Sequence, residues 1–478
     1  MVKVVSTPFQ TVADWTKLAP ADLDSGAFER ELQAISLIRE ALPDVPILFT
    51  VFSPISIANK LSEGRVLQQL ANPQNHAPIH RALAILAEDV ARLSERALAA
   101  GATAGLNRIV GLLDIRERVL QGEKITVLIG PYEHHSNILP WRETGAEVLE
   151  IDEGVHGGVD LTYLESKPAS LDARDLVVGS FSAASNVTGI LTDPDPVCRL
   201  LKRYNALFVW DYAGGAPYLK MDMNPAADSA KDAIVFSLHK FPGGPGASGI
   251  MIVRDSVVQR QSPTAPGGGT VSFVSPRGES YSSKLEDREE GGTPNVIGDI
   301  RATLAILVKD AVGTDHIHAR DVALRDRLTA AWKYHPCIGL LGQVPGAAAL
   351  PFFSFRVVDT EGNRIHHQLF TRMLSDHLGI QARDGCACAG SYAHRLLGLD
   401  PETSRELYAQ LEAGDELKKP GWIRLNLNYL HSDDEADRII DEIPKLAARA
   451  AALRRLYKAD PATARFAVAT SAIDRTMA

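Results

Sequence analysis

Two runs decide how this chain is read. One is Phe208-Val209-Trp210-Asp211-Tyr212-Ala213-Gly214-Gly215. The other is Ala233-Ile234-Val235-Phe236-Ser237-Leu238-His239-Lys240, with Phe241-Pro242-Gly243-Gly244-Pro245-Gly246 directly behind it. Short apolar runs closed by turn residues read as buried strands. The pattern therefore sets an acid and an amine at the C-terminal ends of two strands, the edge where open α/β sheets hold their ligands. A lysine at the tip of an apolar strand loses its proton through desolvation, and a neutral amine forms a Schiff base with an aldehyde. A buried aspartate nearby suits a cationic pyridinium nitrogen, the pairing used in pyridoxal phosphate (PLP) chemistry.

The composition sets bounds on this reading. With 478 residues the chain has room for two to four domains. Its 45% hydrophobic and 23% charged content is that of a soluble globular protein. A net charge of −9 with interspersed signs offers no basic face, so neither nucleic acid nor anionic lipid is expected as a partner. The opening MVKVVSTPFQTVADW has no signal-peptide pattern, and no apolar run is long enough to span a bilayer. We therefore expect a cytoplasmic protein. Four cysteines do not make a disulfide framework in so long a chain, and Cys198 and Cys337 read as buried thiols.

Outward from the two runs, strand and helix signals alternate. Lys124–Ile129 ends in Gly130-Pro131-Tyr132-Glu133-His134-His135-Ser136-Asn137, and Leu176–Phe181 leads into the turn that holds Asn186. Val148–Ile151 is a further short strand. This alternation predicts a mostly parallel sheet covered by helices. Gly101-Ala102-Thr103-Ala104-Gly105 opens a helix. Its free N–H groups and dipole suit an anion, although a plain tight turn before an amphipathic helix reads the same way. A helix is expected over Asp299–Val312, a passage to a smaller α+β domain over Ile338–Pro351, and a frayed tail over 461–478. Residues 1–100 differ: helix, strand and helix signals at Phe28–Ala41, Val45–Val51 and Ile79–Leu98 make α/β-barrel material. His134 and His135 do not read as zinc ligands. Neighbours on an extended chain point opposite ways, and no further ligand stands at metal spacing.

Taken in order, these motifs resemble the class V aminotransferases over about residues 101–450. These are PLP enzymes of fold type I that include the cysteine desulfurases. The resemblance implies a large α/β domain over 101–335 and a small C-terminal domain over 336–460. It makes Lys240 the residue that carries the cofactor and Asp211 the partner of the ring nitrogen. His134 stacks on the ring and shuttles protons, and Asn186 stands near the ring's phenolic oxygen. Ala102, Thr103, Ser237 and His239 cup the phosphate. Thr293 reaches the phosphate of a partner subunit, which implies a homodimer with shared sites, and Arg424 grips the substrate carboxylate. Arg383-Asp384-Gly385-Cys386-Ala387-Cys388 places Cys388 where group II desulfurases carry the thiol that takes sulfur as a persulfide, with a sulfur-acceptor protein downstream. One departure stands out. Gly214 occupies the place of the family glutamine, which leaves an aminotransferase or lyase without persulfide chemistry as an alternative. DWTKL and PILFTVFSPISIANKL within residues 1–100 resemble part of the uroporphyrinogen decarboxylase family. A catalytically weak fusion protein with a structural role is therefore a reading of another class.

Overall fold

The computed structural model describes residues 101–171 and 175–469. The barrel-like expectation for residues 1–100 lies outside them. Four strands in the middle of the main sheet are buried along nearly their whole length: β1 (Ile125–Ile129), β3 (Leu176–Ser182), β4 (Leu207–Asp211) and β5 (Ala233–Ser237). Val127, Val178, Val209 and Val235 are all inaccessible or nearly so. Such continuous apolar runs arise because helices cover both faces of a parallel sheet, leaving no strand face for water. With β2 (Glu147–Glu150) and β6 (Gly249–Val253), the six strands run in the order β2-β1-β3-β4-β5-β6. All pairs are parallel except β5 with β6.

The strand order reverses at β1, so the crevice falls between the C-terminal ends of β1 and β3. Register fixes what stands there. Ser182 pairs with Asp211, and Asp211 with Val235, so the tips of β3, β4 and β5 lie side by side. Helix α1 (Ala102–Leu112) buries Ala102, Leu106, Ile109 and Leu112. It lies close on the sheet because Gly105 has no Cβ, which would come within 2.9 Å of Val235. The start of α1 is thereby brought to the tip of β5.

A hairpin, β7 (Val271–Ser275) with β8 (Gly278–Tyr281), precedes two long helices, α2 (Val296–Val312) and α3 (Thr314–Trp332). A second, antiparallel sheet follows: β9 (Ile338–Leu340), β10 (Phe352–Val358), β11 (Arg364–Ile365), β12 (Arg383–Gly385) and β13 (Trp422–Asn426). Its order is β11-β10-β13-β12, with β9 also on β10. Its core gathers Trp332, Phe353, Phe355 and Phe370 with α5 (Asp433–Leu453), which begins in a capping box at Ser432 and Glu435. Between β12 and β13 lies the short helix α4 (Gly390–Leu397). Hydrogen bonds fasten this sheet and the segment before it to the loop after β3; among them, Ser354 Oγ donates to the Val187 carbonyl at 2.7 Å, and Leu350 N–H to the Gly189 carbonyl at 2.9 Å.

The end of the described chain departs from the expected frayed tail. Arg465–Val468 forms a strand, β15, paired antiparallel with β14 (Tyr457–Asp460). Phe466 sits against the His366 ring.

Candidate active site

Each expected residue can be placed by the element that carries it. Gly101 caps α1 without a side chain. A Cβ there would stand 3.4 Å from the His239 ring and 3.5 Å from Ser237 Oγ, in ordinary contact, so both side chains border the helix start. The Ala102 N–H donates to Ser237 Oγ at 2.9 Å and is buried. The Ala102 N–H, expected to face a phosphate, is taken up by the serine here. The N–H groups of Thr103 and Ala104 are the ones that find no acceptor among the described residues, as the first turn of a helix requires. Thr103 Oγ1 shares a 2.6 Å hydrogen bond with Ser136 Oγ, which ties the cup to the loop after β1.

On that loop His134 precedes the short turn His135–Asn137. The Ser136 N–H donates to His134 Nδ1 at 3.1 Å, so the ring proton belongs on Nε2. Burial and the cations Lys240, Arg383 and Arg424 push the imidazole down to about 4. His134 is therefore neutral at physiological pH. The adjacent His135 turns to the opposite side, with its Nε2 accepting from the Gly390 N–H at 2.9 Å.

Asp211 is 4% exposed at the tip of β4. Oδ1 accepts from the Ala213 N–H at 2.7 Å, as a turn aspartate would. Burial raises its carboxyl, opposed by that N–H and by the field of Lys240. Lys240 ends the turn Leu238–Lys240 at the tip of β5. Its side chain is open to solvent through the cleft, yet enough protein surrounds the amine to lower its pKa. Asp211 opposes that shift, and Arg424 and Arg383 add to it. The acid and the amine therefore occupy neighbouring strand ends and feel each other's charge.

Arg424 on β13 comes in from the second sheet. Nη1 donates to the Asn186 carbonyl at 2.7 Å, while buried Nε has no partner. Desolvation, with Arg383 beside it, brings the guanidinium down to about 10. Asn186 donates to the Ala387 carbonyl at 2.7 Å and leaves a buried Oδ1 unpaired. Arg383 stands opposite Arg424 in register, and its Nη2 lies 3.7 Å from Cys388 Sγ. Ala387 and Cys388 both hold left-handed backbone, at φ 53° and 56°. Cys386 faces away from the cleft. Its thiol donates to the Pro420 carbonyl at 2.9 Å, and burial raises its pKa. Thr293 stands apart from all of these, exposed before α2 and without a hydrogen bond to the cup among the described residues.

This arrangement was compared with known proteins. The family model described as "Aminotransferase class-V" matches residues 98–435. The chain belongs to that family.

A class V relative from Pyrococcus abyssi, described as a probable cysteine desulfurase, is 29% identical over 246 residues, half of this chain and 57% of its own length. The probable cysteine desulfurase of Vibrio cholerae is 28% identical over 349 residues, covering 72% of this chain and 76% of its own. Among solved structures, the cysteine desulfurase of Thermococcus onnurineus NA1 has the same fold, with a TM-score of 0.59 at 22% identity over 76% of this chain and 85% of that one.

Class V enzymes work with PLP, and the donor set here fits it. The helix start has N–H groups without acceptors among the described residues, with Ser237 and His239 beside it, a donor set that suits an anionic group. Asp211 offers a buried carboxylate to a cationic nitrogen. Asn186 Oδ1 and Arg424 Nε are buried polar atoms without partners among the described residues, which a bound molecule would satisfy. The class V glutamine missing at Gly214 also has a physical reason here. A Cβ at that position would stand 3.0 Å from the Ala184 carbonyl oxygen, so backbone fills the space.

Glu133 is a site residue that sequence reasoning passed over. It is 3% exposed and accepts from Ser182 N–H at 2.8 Å, Ser182 Oγ at 2.6 Å and Asn137 Nδ2 at 2.6 Å. Burial pushes its carboxyl up to about 7, with Asp211 adding to the rise. Glu133 thus braces the tip of β3 next to Asp211. No local pattern in the sequence marks a glutamate as buried; only its place directly after a strand, beside His134, was a signal.

Proposed function

We propose that the protein is a PLP-dependent enzyme acting on an amino acid, and specifically a cysteine desulfurase-like enzyme in which Cys388 takes the sulfur. The observation that carries this reading is the convergence of Lys240 and Asp211 on adjacent strand tips with Arg424, Arg383 and the Cys388 thiol brought over them from the second sheet. Bound PLP supplies an electron sink for bond breaking at the substrate's α-carbon. With PLP bound, Asp211 would pair with its ring nitrogen and the neutral His134 would face the ring. Lys240, with its lowered pKa, would carry the cofactor and could move protons at the substrate carbon. The Arg424 fork takes the substrate carboxylate in a bidentate grip. Arg383 Nη2 stands 3.7 Å from the Cys388 sulfur and orients it over the cleft.

Several finer features belong to the same proposal. Residues 101–335 and 336–460 act as a large and a small domain, with residues 1–100 a separate unit of decarboxylase-like origin. Two chains form a homodimer in which the exposed Thr293 serves the partner's phosphate cup. A protein or small thiol accepts the sulfur. All four cysteines are free and no helix among the described residues is long and apolar enough to cross a membrane, which supports a place in the reducing cytoplasm. An aminotransferase or lyase is the second reading, favoured by Gly214 in place of the family glutamine. Sulfide release from cysteine under reducing conditions separates the two. It should be lost in Cys388→Ala and kept in Cys386→Ala; equal release from both variants, or keto-acid formation without sulfide, would favour the second reading.

A further inference from the structure

The dipeptide His134-His135 joins two parts of the site that are distant in sequence. His134 lies in the cleft beside Lys240. His135 faces away from it and holds the loop that bears Cys388 from both sides. Its backbone N–H donates to the Cys388 carbonyl at 2.8 Å. Its ring Nε2 accepts from the N–H of Gly390, the first residue of α4, at 2.9 Å. The fit is close, since a Cβ at Gly390 would stand 3.0 Å from that same nitrogen.

Between these two bonds, Ala387 and Cys388 keep left-handed backbone. Residues with a Cβ adopt that conformation only where surrounding structure enforces it. The N–H of Ala389 bonds to the Cys386 carbonyl at 3.1 Å, and Asn186 holds the Ala387 carbonyl, so the loop is fixed at four points. The ring bond of His135 is the only one of the four made by a group that acts as acceptor solely when its nitrogen carries no proton. Burial, and Arg142 beside it, lower the pKa of His135 and keep it in that form.

We propose that His135 is a positioning residue. It clamps the thiol-bearing loop so that Cys388 Sγ stays beside Arg383 and over the cleft, and it couples that placement to the loop that carries His134. The inference rests on the reading of Cys388 as the sulfur-taking thiol. It concerns how that thiol is held, which the sequence motif alone does not assign.

The test compares full-length wild type, His135→Ala and His135→Gln, all loaded with cofactor. Glutamine places an acceptor oxygen within reach of the Gly390 N–H; alanine does not. Hydrogen exchange over residues 386–391 should quicken by roughly two- to tenfold in His135→Ala, as expected for the loss of one exposed hydrogen bond. Peptides of the main sheet should be unaffected, and glutamine should restore most of the protection. The rate constant for sulfide release should fall in the alanine variant while KM for cysteine and the visible band of the bound cofactor hold, and glutamine should recover it. Unchanged exchange over 386–391 in His135→Ala overturns the clamp. Faster exchange with an unchanged rate constant overturns its role in positioning. Should the alanine variant fail to fold, a glutamine variant with wild-type exchange and rate supports the proposal, and one with raised exchange at the wild-type rate overturns it. Wild-type protein that releases no sulfide would sink the desulfurase reading, while the exchange measurement would still decide the clamp.

Discussion

At the scale of single residues, burial decides which ionisable groups are tuned. Lys240 and His134 are pushed toward their neutral forms by desolvation and by the arginines of the second sheet, which suits the roles proposed for them. Asp321, on α3, shows the same force with no chemistry attached. It is 3% exposed, and neither carboxylate oxygen has a hydrogen-bond partner among the described residues. Burial pushes its carboxyl up to about 7. The folded state therefore keeps a proton that the unfolded chain has already released over roughly pH 4 to 7. Its contribution to stability falls as pH rises through that window. Asp321→Asn should flatten the fall, and at pH 8 should raise the melting temperature of the cofactor-free protein by about 2–4 °C, the shift that roughly 1 kcal/mol produces in a sizeable domain. Parallel melting curves for the two proteins at pH 5 and pH 8 would contradict this. Lys240 and Asp211 were legible because each closes an apolar run before a turn. Glu133 and Asp321 were not, since a carboxylate carries no mark of burial in its own neighbourhood.

At the scale of elements, the turn after β5 sets the amine. Phe241 N–H bonds to the Leu238 carbonyl, Gly244 N–H to the Phe241 carbonyl and Ala247 N–H to the Gly244 carbonyl, with Phe241 buried beneath them. A Cβ on Gly244 would overlap the Leu238 carbonyl oxygen. Gly244→Ala should therefore displace the Leu238–Lys240 turn and cost about 1–3 kcal/mol, as overpacking does. It should also weaken PLP binding more than a glycine change far from the cup, such as Gly362→Ala. Denaturant melts and cofactor titration check both expectations, and wild-type affinity in Gly244→Ala would count against the turn. Strands β1, β3, β4 and β5 were readable as β-rich apolar runs because both their faces are buried. The meeting of Arg383 with Arg424 was not readable, because it depends on the antiparallel register of β12 and β13. The strand at Arg465–Val468 was missed because its partner supplies what its composition lacks.

At the scale of the whole molecule, an apolar stripe is exposed among the described residues. Val296, Ile300 and Leu307 on α2 are 55%, 48% and 56% exposed, and Phe273 and Val274 on the β7–β8 hairpin are 63% and 62% exposed. Thr293 lies just before α2. Exposed apolar groups of this kind mark interaction surfaces, and the proposed homodimer would cover them while delivering Thr293 to the partner's cup. Sedimentation should give twice the 51.7 kDa of one chain, and Ile300→Asp should shift the protein toward monomer and weaken cofactor retention. A wild-type monomer with full cofactor affinity would refute shared sites. The order of motifs along the chain revealed the family and the sheet, but not which surfaces stay open, because that depends on how α2 and the hairpin pack.

The account rests on Lys240 as the amine that holds the cofactor. Borohydride reduction of the PLP-loaded protein, followed by peptide mapping, tests it directly. The pyridoxyl group should be found on the peptide containing Lys240, and Lys240→Ala should show neither label nor visible band. A label on Lys231 or Lys309 instead, or a wild-type chain that takes up no PLP, would contradict it.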